Sequence, residues 1–146
     1  MHTLGELITG RVLHVVTPDW SVQQAAELMA EKNIGAVPVL AERRLVGIFS
    51  ERDLLTRVIA QKKDPALIKV GHVMTRNLIV ASASDDYPAC LEKMKAAGCR
   101  HLPVITGDQL VGIGSMRDLL LHDVKQKDSE IRLLNEYIHF VPSTVL

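Results

Sequence analysis

The chain has 146 residues, room for one ordinary domain or for two very small units sharing a core. Its 17 Lys+Arg balance 17 Asp+Glu, aromatic residues make up 3%, 47% of residues are hydrophobic and 23% are charged. Zero net charge with few aromatic faces excludes a general nucleic-acid binder, and the composition is that of neither a disordered chain nor a membrane-spanning one.

No apolar run nears the roughly 18 residues that a membrane span requires. The opening Met1–Glu6 has no basic stretch leading into an apolar one, so secretion is not expected. Cys90 and Cys99 form neither a disulfide framework nor a CxxC pair. The expectation is a soluble, cytoplasmic, globular protein.

In chain order, Val12–Val16 reads as a short β-rich stretch. A helix follows, with Ser21 as N-cap, Gln24 completing a capping box, and Val22, Ala25, Ala26 and Met29 at helical spacing. After Asn33 come a strand at Ala36–Leu40, a turn at Ala41–Arg43, a strand at Leu45–Phe49 and a helix starting near Ser50. The same order then recurs. Leu78-Ile79-Val80 matches the first stretch, and Asp86 caps a helix with Pro88 in its first turn and Tyr87, Cys90, Leu91 and Met94 on its apolar face. Strands at His101–Ile105 and Leu110–Ile113 flank the turn Thr106–Asp108, and a helix begins near Ser115.

The recurrence is literal. RLVGIFSERDLL (Arg44–Leu55) and QLVGIGSMRDLL (Gln109–Leu120) are identical at nine of twelve positions, at an offset of 65. The offset becomes 66 upstream, where Gly5 pairs with Gly71 and Thr9 with Thr75. A unit of about 55 residues is marginal alone, so two copies should cover each other about a pseudo-twofold and leave two equivalent clefts. The expected division is 1–65 for the first repeat, 66–124 for the second and 125–146 for a C-terminal tail.

Gly-Ile-x-Ser-x-Arg-Asp occurs at Gly47–Asp53 and at Gly112–Asp118. Ser-x-x-Asp at a strand-to-helix junction is a helix cap with an acidic partner. It also suits a ligand, because the helix start offers N–H groups to phosphate and the carboxylate can accept from vicinal ribose hydroxyls.

The paired segments IGAVPV…LVGIFSERDL and CRHLPV…LVGIGSMRDL resemble the two halves of a CBS-domain pair, or Bateman module, over roughly residues 4–123. The resemblance implies an α+β fold of two strand-helix-strand-strand-helix units, their small sheets packed on helices. It also implies a regulatory adenosine-nucleotide sensor without catalytic activity. Each cleft would then draw on both repeats. One site would combine Ile48, Ser50, Arg52 and Asp53 with Ser82, Cys99, Arg100, His101 and Pro103. The other would combine Ile113, Ser115 and Asp118 with Thr17, Ile34, Gly35, Ala36 and Pro38.

Arg100-His101 stands where the first repeat has Gly35-Ala36, so the Asp53 site is expected to prefer charged ligands such as AMP, ADP or ATP. NAD(H) and S-adenosylmethionine are further candidates of the same class. The six histidines lack ligand spacing, so no metal is expected, and neither Ser50 nor Ser115 has the partners of a nucleophile. Asp128-Ser129-Glu130 is expected to cap a separate tail helix from Ile131 to about His139, with Ile131, Leu134, Tyr137 and Ile138 as an apolar stripe. The resemblance favours a homodimer acting on an unnamed partner protein, with no nucleic acid or membrane involved. The alternative is a constitutive dimerisation scaffold with degenerate clefts.

Overall fold

The computed structural model describes residues 2–140, with side chains through residue 138. Residues 141–146, part of the expected tail, lie outside the described residues. The elements are α1 (Leu4–Ile8), α2 (Val22–Lys32), β1 (Ala36–Ala41), β2 (Arg44–Ser50), α3 (Glu51–Asp53), α4 (Val70–Val73), β3 (Ala81–Ser82), α5 (Tyr87–Ala97), β4 (His101–Thr106), β5 (Gln109–Ser115) and α6 (Met116–Phe140). A π-helical stretch, Leu54–Ile59, continues α3 directly.

Local signals set most boundaries. Ser21 and Gln24 form the reciprocal capping box at the start of α2. Asn33 and Gly98 end α2 and α5 in the left-handed region, at φ 54° and 68°. The two hairpins are copies: β1 pairs with β2 and β4 with β5, both antiparallel, with register shifts at the equivalent steps Val39/Leu40 and Val104/Ile105. Asp86 occupies the N-cap of α5, but its side chain makes no capping hydrogen bond.

Three expectations are corrected. Val12–Val16 is not a strand, since only Val16 pairs, in a parallel bridge to Val39. Its counterpart is Ala81–Ser82, pairing in parallel with β4, rather than Leu78–Val80. In both repeats the chain reaches the sheet edge only at its last residues, so a β-rich composition overstated the pairing. Asp128–Glu130 starts no new helix: these residues lie inside the continuous 25-residue α6, where backbone hydrogen bonding leaves nothing to cap.

The largest departure is an exchange of opening helices. Leu4 and Gly5 donate their amides to Asp85 O and Ala83 O, both at 2.8 Å, placing α1 in the second repeat. Val70 and Gly71 donate to Trp20 O and Pro18 O, both at 2.9 Å, placing α4 in the first. These four bonds map onto one another through the repeat offsets. The first core therefore runs from Val16 to Met74 and includes Val70, Val73 and Met74. The second unites Leu4 and Ile8 with Ala81 through Leu119. Glycine permits the close approach, because a Cβ at Gly5 would fall 2.9 Å from Ala83 O and one at Gly71 2.9 Å from the Pro18 Cβ.

Candidate functional site

Both Ser-x-x-Asp motifs cap the helices they begin. Ser50 N donates to Asp53 Oδ2 at 3.0 Å and Asp53 N to Ser50 Oγ at 3.2 Å. Ser115 N donates to Asp118 Oδ2 at 3.3 Å and Asp118 N to Ser115 Oγ at 3.0 Å. The capping role is thus met in both copies. What differs is the other company each carboxylate keeps.

Asp53 is the buried acid, 6% exposed. The Thr75 hydroxyl donates to its Oδ1 at 3.0 Å, the Ser50 hydroxyl to Oδ2 at 3.1 Å, and Arg57 Nε lies 3.6 Å from Oδ1. Arg57 is itself pinned, its Nη1 donating to Met74 O at 3.0 Å. Asp118 is more open and receives the Arg11 guanidinium on Oδ2 at 2.6 Å. Partial burial pushes the Asp118 carboxyl up, but the hydrogen bonds from Arg11 and Ser115 and the charge of Arg11 outweigh it and hold the group below the ordinary carboxylate range.

Thr75 and Arg11 did not enter the sequence-based site, yet each meets an acid, because the exchange carries Thr75 behind α4 to Asp53 and Arg11 behind α1 to Asp118. Thr75 carried a signal, because it repeats Thr9 at the offset of 66. Arg11 carried none, since its counterpart is Asn77. The hydroxyls expected at the two clefts are engaged elsewhere: Thr17 donates to Asp19, and Ser82 Oγ lies 2.9 Å from Ser84 Oγ. Thr17 follows the Val16 bridge and Ser82 ends β3, each just ahead of the turn that leads into α2 or α5, and the hydroxyl on Asp53 is that of Thr75.

His101 lies against the first repeat at Gly35. A Cβ at Gly35 would fall 3.5 Å from His101 Nε2 and 3.2 Å from Glu51 Oε1, so imidazole and carboxylate crowd the loop assigned to the other site. Burial pushes the imidazole pKa down; Glu51, Asp118 and Asp53 pull it up and Arg100 pushes it down, with a net lowering. Arg52 and Arg100 are exposed, and Cys99 is half-buried against the second core. Pro38 lies opposite Ile48 and Pro103 opposite Ile113, each pair within its own repeat. Grouping them across repeats depends on the approach of β2 to β5. Ile34 is half-buried and Ala36 buried at the entry to β1. Two surface depressions, of about 500 and 290 Å³, lie apart from these residues, around Trp20 and Glu27 and around Lys69 and Arg76.

Fold and site together define a tandem pair of small α+β repeats, each acid at a helix start met by a side chain that follows an exchanged opening helix. The family model described as "CBS domain" matches residues 4–60 and again 70–125, and the chain belongs to that family as a CBS-domain pair. It is 29% identical over 135 residues to the CBS domain-containing protein YhcV of Bacillus subtilis, covering 92% of this chain and 95% of that one. A putative signal-transduction protein with CBS domains from Burkholderia ambifaria superposes with a TM-score of 0.80 at 31% identity, covering 84% of this chain and 94% of the other. The CBS domain pair of protein MJ0100, solved with 5′-methylthioadenosine and S-adenosyl-L-methionine, shares the fold with a TM-score of 0.74 at 23% identity, covering 86% and 98%. CBS-domain pairs are generally ligand-binding regulatory modules.

Proposed function

We propose that this chain is a non-catalytic regulatory module that binds an adenosine nucleotide of the AMP, ADP or ATP type in the clefts between its repeats and passes a conformational change to a partner protein. The observation that carries the reading is the meeting of the two units next to the helix starts, where His101 of the second lies against Gly35 of the first and β2 approaches β5. A nucleotide seated along that seam shifts the arrangement of the two units to the extent that it prefers one conformation. Arg100, exposed just before β4, is the cation assigned to phosphate in this reading. The adenosine ligands of MJ0100, a protein of the same fold, support the ligand class.

The test is thermal unfolding with AMP, ADP, ATP, NADH and S-adenosylmethionine. A ligand at 100 times its dissociation constant adds about 2.7 kcal/mol, and a chain of this size then melts about 5–10 °C higher. Absence of a shift with every adenosine compound favours the scaffold reading. One observation speaks for that second reading: both Asp53 oxygens already accept hydrogen bonds inside the protein.

Under either reading the chain acts as a homodimer. The support is α6, where Leu120, Val124, Ile131, Leu134 and Ile138 follow at steps of four, seven, three and four along one face and are 40–64% exposed. Sedimentation of wild-type chain against Ile131→Glu/Leu134→Glu checks this, with the double variant expected to be monomeric.

A further inference from the structure

The two acids occupy equivalent positions and are covered by opposite kinds of group. At Asp53 the cover that follows the exchanged helix is a neutral hydroxyl, Thr75, and the nearby cation, Arg57, is also bound to the Met74 carbonyl. At Asp118 the cover is a cation. Thr9, the counterpart of Thr75, turns its hydroxyl back to Gly5 O at 2.7 Å, and Arg11 takes the vacated side of the carboxylate. A local turn makes this possible: Gly10 lies at φ 84°, and Arg11 N donates to Ile8 O at 3.2 Å. Arg11 has no other side-chain hydrogen bond among the described residues, and the pair is partly exposed, with Arg11 at 47% and Asp118 at 33%.

We propose that Arg11 is a displaceable plug of the Asp118 cleft, competing with a ribose diol for the carboxylate and so making the second site weaker and more salt-sensitive than it is with the carboxylate uncovered. This deepens the nucleotide-binding reading and rests on it. A diol donates to both oxygens of a carboxylate, and Arg11 holds Oδ2, which leaves Oδ1 alone for the ligand. An exposed ion pair costs a competitor only about 1.5–5-fold in affinity, and added salt screens it. The plug therefore weakens the second cleft without closing it.

The probe is adenosine, which carries the diol but no phosphate, titrated calorimetrically into the full-length chain at low and at high salt. The event lost in Asp118→Asn is the second site. In wild type its affinity should rise about 2–5-fold with salt. In Arg11→Ala it should already be higher by that factor at low salt and should change little on adding salt. Unchanged or weaker adenosine binding by Arg11→Ala overturns the plug while leaving the ligand reading intact. Loss of AMP affinity with adenosine unaffected overturns it too, by assigning Arg11 to phosphate. Failure of wild type and Arg11→Ala to bind any adenosine compound overturns both readings.

Discussion

A methyl group added at Gly47 would fall 2.6 Å from Met74 Sδ and 2.9 Å from Thr75 O, whereas one at the equivalent Gly112 meets the end of the Ile8 side chain. A backbone oxygen cannot move aside as a side-chain tip can. Gly47→Ala is therefore expected to destabilise by about 1–3 kcal/mol and Gly112→Ala by less, as read from urea unfolding; equal losses would contradict the asymmetry. Histidine chemistry adds a pH dependence. Burial lowers the pKa of His101, and it also lowers that of His122, whose Nε2 is buried without a hydrogen-bond partner among the described residues and whose ring sits edge-on to Tyr87 at 4.6 Å. Below the ordinary histidine value of about 6.5 the unfolded chain takes up protons that the folded one resists. Stability is then full above that pH and falls as the pH drops toward the folded-state values. Denaturation at pH 7.5 and 5.5 should show the loss, and His101→Ala, which copies Ala36, should reduce it.

At the scale of elements, short helices can matter more than long ones. The five-residue α1 brings Leu4, 0% exposed, and Ile8 into the second core, so Leu4→Ala is expected to destabilise by about 2–5 kcal/mol. Within α6, by contrast, Leu119 is the core residue, and the described residues from 127 to 138 are exposed throughout. Ending the chain after Asp123 should leave the melting temperature nearly unchanged while altering sedimentation. A large loss of stability would mean that the distal helix supports the fold. The apolar stripe on α6 was legible from its spacing. Its continuity with the closing helix of the repeat was not, because Asp128-Ser129-Glu130 carries a helix-start pattern that a helix already under way overrides.

At the scale of the molecule, the exchanged helices predict which fragments fold. A fragment spanning 1–65 carries α1 but lacks Val70, Val73 and Met74, whereas one spanning 10–76 contains the whole first core. Trp20, packed against that core, reports the outcome by fluorescence. The 10–76 fragment should bury Trp20 more than 1–65 does; the reverse order would refute the exchange. In the proposed regulatory role, a shift between the repeats would pull on α1 and α4, each of which crosses from its own repeat into the core of the other.

By itself the sequence determined the duplicated unit, the hairpins and their turns, the capping box at Ser21 and the buried face of α5, because these are written in side-chain period and in residues a few positions apart. It also marked Asp53 and Asp118 as special, through a motif repeated at one spacing. Only the tertiary structure decided what meets them. Thr75 reaches Asp53 across 22 residues and Arg11 reaches Asp118 across 107, and His101 comes to rest against Gly35 of the other repeat. Such meetings depend on how two near-identical units close over each other. Local propensity is the same in both copies and therefore cannot choose between a helix that packs in its own unit and one that packs in its twin.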